Sequence, residues 1–191
     1  MLAGKGFENV YNVAGGFKGW KSEAAFGEEE LGLELFTGDE SPEKTLVVAY
    51  SLEAGLRDFY LSMIIEVKNN DTKDLFQKLS EIEVKHQDRI FNEYITITGK
   101  TVNREEFEKS TVSKAVEGGL ATEEYMNLFQ PDLESMEDII SLAMSIEAQA
   151  LDLYMRAADR TSNPQSKKML TQIADEERAH LAQLGKLMES I

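Results

Sequence analysis

The sequence predicts an all-α protein, a four-helix bundle with a long connection between its second and third helices, and three observations predict it. The first is a pair of motifs: the chain has two histidines, and each stands three residues after a glutamate, in Glu83-Val84-Lys85-His86 and Glu177-Arg178-Ala179-His180. Both windows carry helical apolar spacing, Leu75-Phe76-Leu79-Ile82 and Met169-Leu170-Ile173, and on a helix residues i and i+3 share a face. Each motif therefore aims a carboxylate and an imidazole in one direction. The second observation is register. The motifs lie 94 positions apart, and the same offset pairs Ser51 with Ser145, Glu53 with Glu147, Ala54 with Ala148, Asp58 with Asp152, Tyr60 with Tyr154 and Asn69 with Asn163. This is an internal repeat of a helix pair, with a glutamate on one helix and Glu-x-x-His on the next. The third observation is a set of helix-start signals placed where such a repeat needs them.

Taken in order, Ser41-Pro42-Glu43 opens the first helix with a capping hydroxyl, a proline at the first helical position and an acid near the positive end of the dipole. That helix is expected to reach about Lys68, with Leu46, Ala49, Leu52, Leu56, Phe59 and Met63 on one side. Asn69-Asn70-Asp71 turns the chain, and Asp71 with Asp74 is expected to cap a second helix running to about Ile97. Gly99-Lys100 ends it. In the connection, Asn103-Arg104-Glu105-Glu106 opens a short helix, Gly118-Gly119 breaks it, and Thr122-Glu123-Glu124-Tyr125 starts another before Pro131. A connection this long lets helices two and three run parallel. Ser135 with Asp138 caps the third long helix, expected to reach about Arg160, and Asn163-Pro164 starts a fourth that continues to the chain's end.

Residues 1–38 read differently. They are rich in glycine and are expected to form a short strand-and-turn arm, with a β-prone run at Val10-Tyr11-Asn12-Val13, a turn at Ala14-Gly15-Gly16 and a short helix carrying Trp20. The expected organisation is thus an arm and linker over 1–38 and a bundle over 39–191.

Composition sets limits on function. In 191 residues the formal net charge is −15, which argues against nucleic acid or an anionic membrane as partner, since both require clustered Lys and Arg. No apolar run approaches the length of a membrane span and the first residues lack the apolar core of a signal peptide, so a cytoplasmic location is expected. The absence of cysteine excludes disulfides, thiolate metal sites, iron–sulfur clusters and a cysteine nucleophile on this chain. Redox chemistry here has to use oxygen and nitrogen ligands.

With the matching helix faces turned inward, the core holds Glu53, Glu83, His86, Glu147, Glu177 and His180. One Glu from each of two helices and a Glu-x-x-His from each of the other two is the ligand pattern of di-iron and di-manganese carboxylate bundles. Two divalent ions would neutralise the four carboxylates, whereas without metal the carboxylates would repel, take up protons or open the fold. Tyr60 and Tyr154, two turns beyond Glu53 and Glu147, are candidates to hydrogen-bond a ligand carboxylate on another helix. Met63, Met144, Met155 and Met169 are expected as core filler, because thioethers suit softer metals.

On these six positions, residues 41–191 resemble the ferritin-like di-iron domain of the rubrerythrin family. The resemblance implies two iron ions, with manganese or zinc also suited to the ligands. It further implies reduction of hydrogen peroxide or O2, an external electron-transfer protein as donor, and a homodimer; an iron-binding or ferroxidase-type role without peroxidase turnover is the alternative. The sequence departs from the family at Ala150, where a further glutamate usually stands, and in lacking the four-cysteine rubredoxin module. Separately, Gly6-Phe7-Glu8-Asn9-Val10-Tyr11-Asn12-Val13-Ala14-Gly15-Gly16-Phe17-Lys18-Gly19-Trp20 resembles the C-terminal end of a rhodanese domain. The reactive-cysteine loop of that family is not in this chain, so the stretch implies an arm or dimer contact and no sulfurtransferase activity.

Overall fold

In the structure, a computed structural model that describes residues 32–109 and 122–191, a 3-10 turn at Leu33–Leu35 leads into helices α1 (Pro42–Glu66), α2 (Asn70–Thr98), α3 (Arg104–Glu108), α4 (Thr122–Phe129), α5 (Met136–Arg160) and α6 (Pro164–Met188). The β-prone run, the Trp20 helix, the rhodanese-like stretch and the Gly118-Gly119 break lie outside the described residues. α6 stops at Met188, short of the chain's last residue.

Local chemistry sets the helix limits. Ser41 Oγ accepts from Lys44 N and Ser135 Oγ from Asp138 N, satisfying amides that the first turn leaves open. α2 starts earlier than expected: its cap is Asn69, whose Oδ1 accepts from Asp71 N at 2.8 Å. Asp71 therefore already lies inside the first turn, where its charge meets the helix dipole. α6 repeats this cap at Asn163, which accepts from Gln165 N and Ser166 N. Asn103 and Glu106 form a full capping box on α3. α2 ends on Gly99, whose φ of 62° is left-handed and whose N–H donates to Ile95 O at 2.9 Å.

α1 packs along α2 and α5 along α6, giving two helical hairpins. Two sets of cross-hairpin hydrogen bonds fix their relative direction. At one end, Lys68 N and Asn69 N donate to the two oxygens of Glu134 at 2.6 and 2.7 Å, which places the start of α2 beside the start of α5. At the other end, Thr45 Oγ1 donates to Ser166 Oγ at 3.3 Å, placing the start of α1 beside the start of α6. Helices α2 and α5 therefore run parallel, as the long connection predicts.

The core divides into two apolar clusters. One gathers Phe36, Leu46, Tyr50, Ile90, Tyr154 and Leu170, the other Leu56, Phe59, Tyr60, Phe76, Ile140 and Met144. Met63, Met144 and Met169 are buried as expected, but Met155 is 48% exposed, its sulfur near Arg178 Nη2 rather than in the core. Phe36 enters the first cluster from outside the hairpins and meets Tyr154 edge to face. Glu40 holds the segment behind it, accepting from Thr37 N and, at 2.9 Å, from Gly38 N. Gly38 is required there: its φ is 93°, and a Cβ would lie 3.1 Å from the Arg160 carbonyl oxygen.

Candidate metal centre

Glu53 on α1 meets Glu83 and His86 on α2, and Glu147 on α5 meets Glu177 and His180 on α6. Each hairpin so contributes one complete trio, and within a trio the potential donor atoms all lie within 4.8 Å of one another. The i, i+3 spacing on α2 and α6 brings each Glu and His onto the face that meets the neighbouring helix. His86 Nδ1 lies 3.1 Å from Glu53 Oε2 and 3.0 Å from Glu83 Oε2. His180 Nδ1 lies 3.2 Å from Glu177 Oε2 and 3.4 Å from Glu147 Oε2. The two imidazoles stack across the hairpins, centroids 4.2 Å apart and planes 9° from parallel. That stack joins the trios into one centre.

All four glutamates are almost entirely buried, at 0 to 2% exposure. Burial, reinforced by the Glu53 and Glu147 charges and opposed by His86, pushes the Glu83 carboxyl well above the ordinary carboxylate range. For His86, burial favours the neutral ring, but Glu53 and Glu83 outweigh it and raise the imidazole to about 11. Protons on these groups thus balance part of the buried negative charge. Glu83 Oε2 and Glu147 Oε2 are buried, lying 3.0 and 3.4 Å from the Nδ1 of the histidine of their own trio. Buried oxygens in this condition, in a set of four carboxylates and two imidazoles, are the donor chemistry that a pair of hard or borderline divalent ions satisfies.

Tyr60 and Tyr154 are both buried, and they lie in opposite apolar clusters on either side of the centre. Ala150 is fully buried in the Tyr154 cluster, so that position brings no carboxylate to the centre.

Three features around the centre had no signal in the sequence reading. Arg89, one turn beyond His86, reaches Glu176 on α6 at 2.6 Å, so an ion pair joins the hairpins beside the histidines. Elsewhere along the same α2/α6 seam lies a cleft of about 220 Å³ with apolar walls, whose floor is Glu83, Glu147 and His180. Finally, Arg104 on α3 donates to Tyr50 Oη at 3.0 Å, to Glu108 at 3.1 Å and to Gln87 at 3.3 Å, and pairs with Asp88. Gln87 in turn donates to the Glu53 carbonyl at 3.4 Å, so α3 braces the backbone that carries Glu53.

A bundle of antiparallel helical hairpins, each supplying two carboxylates and an imidazole to a shared buried centre, is the architecture of ferritin-like di-metal carboxylate proteins. Within that class the chain belongs to the rubrerythrin family: the family model, described as Rubrerythrin, matches residues 44–188. No curated protein matches the sequence. Among solved structures, a hypothetical protein from Pyrococcus furiosus is similar, 24% identical, covering 78% of this chain and 89% of that one with a TM-score of 0.48. The family match begins beyond the rhodanese-like stretch. Among the described residues, no helix is long and apolar enough to cross a membrane.

Proposed function

We propose that this protein is a non-haem di-iron member of its family that reduces hydrogen peroxide, or O2, with electrons from an external donor. The observation that carries the reading is the pair of complete Glu, Glu, His trios joined by the stacked histidines. Glu53, Glu83 and His86 would hold one ion, and Glu147, Glu177 and His180 the other. When bound, the ions would supply Lewis acidity and the electrons for O–O reduction.

The chain's own residues do the rest. Ion binding requires His86 to give up the proton that Glu53 and Glu83 hold on its ring, so metal replaces a proton at that position. The four carboxylates provide proton acceptors around the centre, which lies between the two apolar clusters. Electrons have to come from another protein, because the chain offers no cysteine for a cluster of its own.

The test is elemental analysis of anaerobically purified protein, followed by addition of peroxide while the iron absorption is recorded. Two irons per chain, oxidised stoichiometrically by peroxide and faster than by O2, are expected. Two irons indifferent to peroxide would move the function to iron handling, and absence of bound metal would remove the metal reading.

A further inference from the structure

The 94-residue repeat relates the two sides of the α2/α6 seam, and the sides have diverged. By that offset Arg89 corresponds to Gln183, and Glu176 corresponds to Ile82. On one side Arg89 and Glu176 form the ion pair that ties the helices together. On the other, Ile82 and Gln183 line the cleft. An ion pair thus spans the helices at one position, and its uncharged counterpart at the other lines a cleft that reaches the centre.

The cleft is larger and more apolar than hydrogen peroxide requires. Its volume is about 220 Å³, with Leu75, Leu79 and Leu184 on its walls, each at most 6% exposed, and Lys78 and Gln183 at its rim. For scale, a cavity of about 150 Å³ lined by such side chains is dry and takes benzene. The floor differs from the walls: Glu83, Glu147 and His180 line it, the polar end of an otherwise leucine-lined cleft. Leucine walls around one polar end suit a compact molecule with an apolar body and a single polar, hydrogen-bonding end.

We propose that the cleft binds a compact alkyl hydroperoxide, its hydrocarbon part against the leucines and its O–OH end at Glu83, Glu147 and His180. This rests on the peroxidase reading above and names a substrate class for it. The reaction is ROOH + 2 e⁻ + 2 H⁺ → ROH + H2O: the O–O bond breaks, the peroxide is reduced, and a one-electron carrier protein is oxidised twice.

The test separates binding from turnover. Cumyl alcohol, the product of cumene hydroperoxide reduction, is titrated into metal-free full-length protein and followed by NMR. The parent is compared with Ile82→Glu/Gln183→Arg, which copies the opposite ion pair into the cleft, and with Leu184→Phe, which fills it should the double variant not fold. Saturable binding by the parent, weakened at least tenfold in a folded variant, is expected. In iron-loaded protein the kcat/KM ratio for cumene hydroperoxide over hydrogen peroxide is expected to fall by a similar factor in the same variant. No saturable binding, or binding equal in parent and variants, would overturn the cleft assignment. Turnover of hydrogen peroxide with none of cumene hydroperoxide would overturn the substrate class alone. Turnover of neither, with iron bound, would overturn the peroxidase reading and the substrate class with it.

Discussion

At the scale of single residues, Glu83 faces opposite demands with and without metal. Buried among like charges it takes up a proton, whereas as a ligand it has to be ionised. Glu83→Gln is accordingly expected to lose one of the two metals by elemental analysis, yet to raise the melting temperature of the metal-free protein, because it removes a carboxyl that resists burial. A metal content equal to the parent's would refute the ligand assignment. Tyr60 carries a different expectation. If its hydroxyl orients a ligand carboxylate, Tyr60→Phe weakens metal affinity by roughly 10-fold or more, whereas a tyrosine serving only as core would leave the metal titration unchanged. The grouping of these six side chains was legible because each histidine fixes a register and the repeat supplies the partner glutamates. Arg89 and Glu176 were not, since the repeat replaces them by Gln183 and Ile82 and their pairing spans two helices remote in sequence.

Among the elements, the helices were legible wherever a local capping rule decided the boundary. α1, α5 and α6 start at the predicted caps. α2 does not, because three consecutive polar residues, Asn69-Asn70-Asp71, each satisfy the same rule, and the start went to the first of them. The repeat supplied the missing discriminator: Asn69 corresponds to Asn163. Asn69→Ala and Asn163→Ala are therefore expected to cost similar amounts, about 1 kcal/mol each in urea unfolding. The clamp of Glu134 on the α1–α2 turn joins residues far apart in sequence, and no local signal announces it. The segment before α1 has a titratable hold. Burial pushes Glu40 up, but the hydrogen bonds from Thr37 and Gly38 outweigh it and keep the carboxyl below its ordinary value of 4.5. Its stabilisation is present above pH 4.5 and lost as pH falls through the lowered value. Glu40→Gln should cost about 1.5 kcal/mol near neutral pH, and the difference from the parent should shrink in acid. A pH-independent difference would rule out the charge as its source.

Across the whole molecule, the layer of buried acids lies between two apolar clusters, so burial of like charges opposes folding at the middle of the bundle while the apolar clusters favour it at both ends. Chelation is expected to lower the melting temperature, and saturating metal to raise it by linkage, about 2.7 kcal/mol when free metal is 100-fold above its dissociation constant. Calorimetry with and without chelator checks this. The bundle and its parallel α2 and α5 were legible from periodicity and from the length of the connection. The docking of Phe36 was not: its segment lacks helical periodicity, and its fit depends on a space that exists only once Tyr154 is in place. One trio per hairpin has a further consequence. Neither half of the sequence borrows a ligand from the other to complete its own set, so a free α1–α2 peptide meeting a second copy of itself would recreate the donor layout across a true two-fold axis. The stacked imidazoles mark where that axis would pass, and tethering the two halves in one chain lets each carry different residues at equivalent positions, as Arg89 and Glu176 do against Gln183 and Ile82.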